Sequence, residues 1–210
     1  MEATEIADKI HEEPEEDAGG GQPRAAPAHE TFRKLAAIYL GVVAMLLAIA
    51  SLGGGHATKE MLAANIHASD TYAYYQAKYI RQVHYQVTAE QLELEARTPG
   101  LPDDARAHAV EVAKRYRDTA ARYDSEPQTG DGKKELLAKA KSWEERRDHA
   151  AAQDANFEYG EALFQIAIVL GSVSIVAASP ALLALSGILA AIATVFTANG
   201  YFLVMPLPFT

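Results

Sequence analysis

The amino-acid sequence predicts an all-α membrane protein: three transmembrane helices, with an antiparallel, coiled-coil-like helical hairpin as an excursion between the first and second. Three observations carry this reading. Leu35–Leu52 is free of charge, and no charged residue follows Glu161. The segment between these apolar stretches is dense in Ala, Glu, Lys, Arg and Gln and has no β-type alternation. Its helix breakers gather in two short clusters, Thr98–Pro102 and Ser125–Gly132.

The elements follow in chain order. Residues 1–31 are rich in Glu, Gly and Pro, including Gly19-Gly20-Gly21, and have too little apolar content to form a core. A disordered acidic tail is expected there. Residues 32–55 hold the first transmembrane helix. Its charge-free stretch from Leu35 to Leu52 would rise about 27 Å as a helix, enough for a hydrocarbon core. Arg33 and Lys34 stand at its start, and Gly53-Gly54-Gly55 reads as a flexible exit. Ala48-Ile49-Ala50 has the small-residue spacing of a signal cleavage site. The acidic tail in front is not a short basic n-region, so a retained helix is expected.

Residues 56–161 read as a soluble helical hairpin. Both of its ends must reach the same membrane face, so the chain reverses once, at Thr98-Pro99-Gly100-Leu101-Pro102. The second cluster, Ser125–Gly132, is then a loop-out in the descending helix. The descending arm stays longer than the ascending one even without this loop, and the sequence does not account for the surplus. Ile66, Ala73, Ile80, Val87 and Leu94 recur every seven residues and read as one apolar row of the seam. The companion row has Val83 but also the polar Ser69, Gln76 and Glu90. Tyr72, Tyr75 and Tyr79 form a neighbouring stripe, with Tyr116 and Tyr123 as candidates for the facing surface.

The second and third transmembrane helices are expected at residues 162–179 and 180–205, followed by a C-terminal tail, 206–210. Ser179-Pro180 divides an apolar run too long for one span, because proline disfavours helix in the residue before it. The result is a hairpin with a very short turn. Ala37/Gly41, Ala167/Gly171 and Gly187/Ala191 have the small-xxx-small spacing that lets helices approach closely.

The most distinctive chemistry is DTYAYYQAKYIR, Asp70–Arg81. One reading is a packed helix face. The sharper one groups Asp70, Tyr72, Tyr75, Gln76, Lys78 and Tyr79 as a polar site framed by aromatic rings, for a ligand or a partner. Spacing alone does not separate the two. Gln165 and Asn199 are the polar residues that stand out inside the late spans, and such residues are functional candidates by default.

Several function classes are excluded by composition. A net charge of −9 gives no basic face for nucleic acid and no polybasic patch for anionic lipid. The absence of cysteine removes disulfides, thiolate catalysis, zinc fingers and iron–sulfur ligation. There is no Glu-x-x-His, His-Glu-x-x-His, P-loop or Gly-x-Ser-x-Gly motif. His56 with Glu60, and His67 with Asp70, are helical neighbours with metal-binding side chains but read as ordinary surface residues. No catalytic residue, metal or cofactor is expected, and the chain does not read as an enzyme. It reads as a membrane-anchored scaffold or accessory subunit, with the lipid bilayer and either a second copy or another protein as partners. An oligomeric channel or transport accessory is the alternative, since three spans enclose no pore in a single copy. Arg24, Arg33 and Lys34 precede the first span, which puts the N-terminus in the cytoplasm and the excursion in the periplasm.

The run Asn65-Ile-His-Ala-Ser-Asp70-Thr-Tyr-Ala-Tyr-Tyr-Gln-Ala-Lys78, followed later by Ala162-Leu-Phe-Gln-Ile-Ala-Ile-Val-Leu170, resembles an uncharacterised family of bacterial membrane proteins, domain of unknown function 4337. The resemblance extends over residues 35–180. It implies an early span, a helical excursion, a late hairpin and an inner-membrane address, and it brings no activity. Tyr72 stands where relatives often have tryptophan, and the Gln128–Gly132 region interrupts a helix that is continuous in them.

Overall fold

The computed structural model describes residues 27–205, which form four helices: α1 (Pro27–Ala96), α2 (Asp103–Asp124), α3 (Lys133–Val176) and α4 (Pro180–Phe202). There is no strand among the described residues. Most of the expected acidic tail and the tail 206–210 lie outside them, while residues 27–31 already belong to α1. Three helices, α1, α3 and α4, are long and apolar enough to cross a membrane, as a membrane protein requires.

At 70 residues α1 is about 105 Å long. It does not end at Gly53-Gly54-Gly55, as the sequence reading had it, but passes through them as helix. Gly53 and Gly54 form a notch. The Phe157 ring of α3 presses against the backbone there, and a Cβ on Gly53 would stand 2.6 Å from two of its ring carbons. Packing holds the helix through residues that cost about 1 kcal/mol each relative to alanine.

The tip reverses the chain at residues 97–102, where Gly100 takes the left-handed φ of 84° that residues with a Cβ avoid. Beyond it α2 and then α3 pack end to end along α1. In an antiparallel pair the numbers of facing residues add to a constant. Near the apolar end that total is about 210, as for His67 on Trp143 and Gly53 against Phe157. Nearer the tip it is about 202, as for Gln82 with Ala120 and Tyr85 with Tyr116. The step matches the length of Ser125–Gly132, so the segment is extruded while the descending arm keeps its course. The same register accounts for the surplus length. Phe157 is level with Gly53, so Glu158 and Glu161 stand beside the first span and not beyond its end.

The seam has the expected seven-residue period in a different register. Ala36, Val43, Ala50, Ala57, Ala64, Thr71 and Lys78 form its buried row, joined by Ala68, Gln82, Ala89 and Ala96. The predicted row is turned away: Ile66 is 58%, Ile80 66% and Leu94 65% exposed, and Ala73 and Val87 are exposed beside them. Alanine explains the inversion. Its small side chain leaves room for α1 to pack against the buried alanines of α2 and α3 (Ala109, Ala113, Ala120, Ala140, Ala150). Branched side chains would hold the axes apart.

The α3–α4 turn falls where Ser179-Pro180 was expected. Ser179 N–H bonds the Ser174 carbonyl at 3.0 Å across Ala178, whose φ of 48° completes a Schellman-type stop. Pro180 then opens α4 at a position that has no intrahelical partner to lose. The apolar end is held by Val43, Ala50, Phe164, Ala167, Ala190 and Ala193. A hydrogen-bond chain joins all three helices there. Tyr39 Oη donates to Ser186 Oγ at 2.9 Å, and Ser186 donates to the Ala167 carbonyl at 2.6 Å. Of the three small-residue pairs, Ala167/Gly171 lies in an internal contact, whereas Ala37 and Gly41 face outward.

Candidate functional site

The tyrosine stretch meets the extruded loop, and this junction concentrates the polar chemistry of the charged arm. Lys78 sits on the seam row, only 6% exposed. Its Nζ donates to the Asp131 carbonyl and lies 5.3 Å and 5.4 Å from the ring centres of Tyr74 and Tyr123. A buried ammonium is costly without compensation; a carbonyl and two π faces supply it. One turn further, Gln82 Nε2 donates to the Ala120 carbonyl at 3.0 Å. Tyr85 then packs against Tyr116 and Tyr123 at 5.4 Å and 5.8 Å. Tyr116 and Tyr123 face α1 through Tyr85 and Lys78, residues outside the Tyr72, Tyr75 and Tyr79 stripe for which they were the candidate facing surface.

The loop is closed from its own ends. Glu135, in the first turn of α3, accepts from Ser125 Oγ at 2.7 Å and from the Glu126 N–H at 3.2 Å. The Ser125 bond is the main reason its carboxyl is held below the ordinary value. Asp124 is lowered in the same direction, first by its hydrogen bond with Lys134, at 3.0 Å, with Lys133 at 3.5 Å. Lys133 also lies 5.1 Å from the Tyr79 ring centre. Gly132 leaves no room for a Cβ, which would run into Glu135, Glu126 and Ser125.

The residues grouped from the sequence are not brought together. Lys78 points into the seam, whereas Gln76 and Asp70 are exposed on other faces of the helix. Tyr75 is half-buried and Tyr79 is 51% exposed. The half-buried Tyr72 hydroxyl is raised above its ordinary pKa by desolvation first, then by its hydrogen bond to Glu144 of α3. The histidine pairs take other partners as well. His67 stacks on Trp143 at 4.6 Å, and Glu60 accepts from Arg146 at 2.6 Å. Among the described residues no three metal-ligating side chains gather. Lys78 therefore works as a fastener between helix and loop.

The two intramembrane candidates part ways. Asn199 is buried at the end of α4, where its Nδ2 donates to Asn156 Oδ1 at 2.7 Å and to the Met205 carbonyl at 2.8 Å. Its Oδ1 accepts from the Met205 N–H at 2.9 Å. The amide thus terminates α4 and locks it to α3. Asn156 was missed from the sequence because nothing local links it to a residue so far along the chain. Gln165 is exposed on α3, among apolar side chains at the level of the first span.

No curated protein matches the chain, and no solved structure does. A family described as a domain of unknown function, DUF4337, matches residues 32–203, which take in the first span, the charged arm and nearly all of the late hairpin. With most of its length inside that match, the chain belongs to this family.

Proposed function

We propose that the chain is a membrane-anchored helical interaction protein, a scaffold or accessory subunit and not an enzyme. The observation that carries this reading is the uncovered apolar row Ile66–Leu94 on the charged arm of α1. Large apolar side chains aligned along an arm outside the bilayer fit a protein contact. Further support comes from Lys78, Gln82, Asp124 and Glu135, the arm's most engaged polar groups, which are spent on holding helices and loop together. The membrane is the inner membrane of a bacterium. Arg33 and Lys34 keep the start of α1 in the cytoplasm, and the arm reaches the periplasm.

A photo-crosslinking residue in place of Ile80, activated in native membranes, is expected to yield protein adducts. The same residue in place of Lys141, exposed on α3, is the control. Absence of any protein adduct from position 80 would remove the interaction reading. The transport alternative has one observation in its favour: the Gln165 amide faces outward at bilayer depth, where an oligomeric pore would line itself with such groups. Ion flux through reconstituted vesicles that disappears in Gln165→Leu would favour it.

A further inference from the structure

The outward face of α1 carries two rows at seven-residue spacing. One is Ile66, Ala73, Ile80, Val87 and Leu94; the other is Leu62, Ser69, Gln76, Val83 and Glu90, and every member of both is exposed. They lie opposite the seam, so the helices that cover the alanines leave them bare. Both rows continue into the first span. Ile38, Met45 and Leu52 prolong the first, and Gly41, Ala48 and Gly55 the second, again all exposed. We propose that a second copy of this chain covers the face, with the two α1 helices lying parallel as a two-stranded coiled coil through span and arm. The proposal rests on the interaction reading and deepens it by naming the partner.

The occupant follows from the geometry of the face. It passes from apolar span to charged arm with Lys59 as the one charge on the first row between Ile38 and Leu94. Whatever covers its whole length must itself be a helix anchored in the membrane and aligned with α1. Copies inserted in one bilayer share an orientation, and a two-fold axis along its normal sets each residue against its own counterpart. The rows are then in register without adjustment. Ile66, Ile80 and Val87 are β-branched, the class that favours two strands at one core position of a parallel pair. Within the bilayer Gly41, Ala48 and Gly55 let the backbones approach, which is how helices gain packing in lipid.

Polar groups agree with the arrangement at all but two positions of the arm. Gln76 meets Gln76 of the second copy, and an amide, being both donor and acceptor, pairs with itself. The flanking residues set Asn65, Tyr79 and Gln86 toward Asp70, His84 and Gln91 of the copy, with no like charges opposed. Lys59 and Glu90 are the exceptions, because two ammonium groups at the one and two carboxylates at the other approach across the axis. Glu90 supplies a test in which association rises.

The chain has no cysteine, so single cysteines report contacts directly. In full-length protein in native membranes, Ala73→Cys is expected to give a covalent dimer with a short bismaleimide; Lys141→Cys, exposed on α3, is not. In mild detergent Glu90→Leu should raise the dimer fraction several-fold and Ile80→Asp should lower it, with helicity unchanged. A chain that stays monomeric and gives no Ala73→Cys dimer overturns the proposal. So does exclusive linkage of Ala73→Cys to a different protein, which leaves the interaction reading standing. Loss of every protein adduct at position 80 removes both.

Discussion

Phe157, 2% exposed, is the residue on which the meeting of three helices turns. Its ring fills the notch at Gly53 and Gly54 of α1, abuts Gly200 of α4 and meets Tyr201 edge-on at 4.9 Å. Gly53→Ala drives a methyl group into that ring and is expected to cost about 1–3 kcal/mol, the usual range for overpacking. Phe157→Ala empties the notch and should cost about 3–5 kcal/mol. The double variant is the sharper measurement: with the ring gone the methyl group no longer clashes, so the combined loss in thermal stability in detergent should fall short of the sum. Strict additivity would mean that the glycines matter for some reason other than the ring. Lys78 invites a second comparison. Read as a solvent-facing lysine it would tolerate Gln at little cost; buried on the seam, it leaves the Asp131 carbonyl without its donor when replaced by Met. A loss of about 1–3 kcal/mol is expected for Lys78→Met, against almost none for Asp70→Asn on the exposed face. Equal effects at the two positions would contradict the fastener role.

Among the elements, the extruded loop is the one that depends on charge. Asp124 and Glu135 both have carboxyls lowered by bonds that close it, from Lys134 and Ser125 respectively. A depressed carboxyl contributes stability that is whole above its unfolded value, about 4, and lost as pH falls through the lower folded value. Hydrogen exchange across residues 125–132 should therefore be flat from neutral pH to about 5 and accelerate below about 4, beyond the intrinsic pH effect. In Glu135→Gln much of that extra acceleration should vanish; an unchanged profile would show that the loop is closed by something else. The same elements indicate how much was legible beforehand. The charge-free stretch Leu35–Leu52, the Pro-Gly-Leu-Pro tip and the Ser179-Pro180 turn were readable because length and breakers act locally. The seam register was not. Its buried row is alanine, threonine and lysine, while isoleucine, valine and leucine stand outside, so hydrophobicity pointed to the wrong face of the right period. Gly53-Gly54-Gly55 misled for a related reason: a glycine that receives a ring from another helix looks, in sequence, like one that frees the chain. Neither the Asn156–Asn199 pair nor the Lys78–Asp131 bond could be seen without the fold, since each joins residues on separate elements.

At the scale of the whole molecule, connectivity converts these contacts into sidedness. Because α1 and α3 run antiparallel, the tip at residues 97–102 and the loop at 125–132, level with Lys78, both lie on the arm side of the spans. The α3–α4 turn at residues 177–179 lies on the other side, with the start of α1. Three crossings then bring the end of α4 back to the side of the arm, where Asn199 holds Met205 and Tyr201 meets Phe157. On the proposed orientation, with Arg33 and Lys34 on the cytoplasmic side, Gln128→Cys should react with an impermeant maleimide once the outer envelope is opened. Ala178→Cys should react only after the inner membrane is breached. The antiparallel packing makes this pair informative, since the two positions must behave oppositely whichever way the protein is inserted. Reversed labelling would invert the orientation and leave the fold intact. Equal labelling of both positions before the membrane is breached would contradict the three crossings themselves, because the Phe157 junction and the Ser179-Pro180 turn cannot then lie at opposite faces of one bilayer.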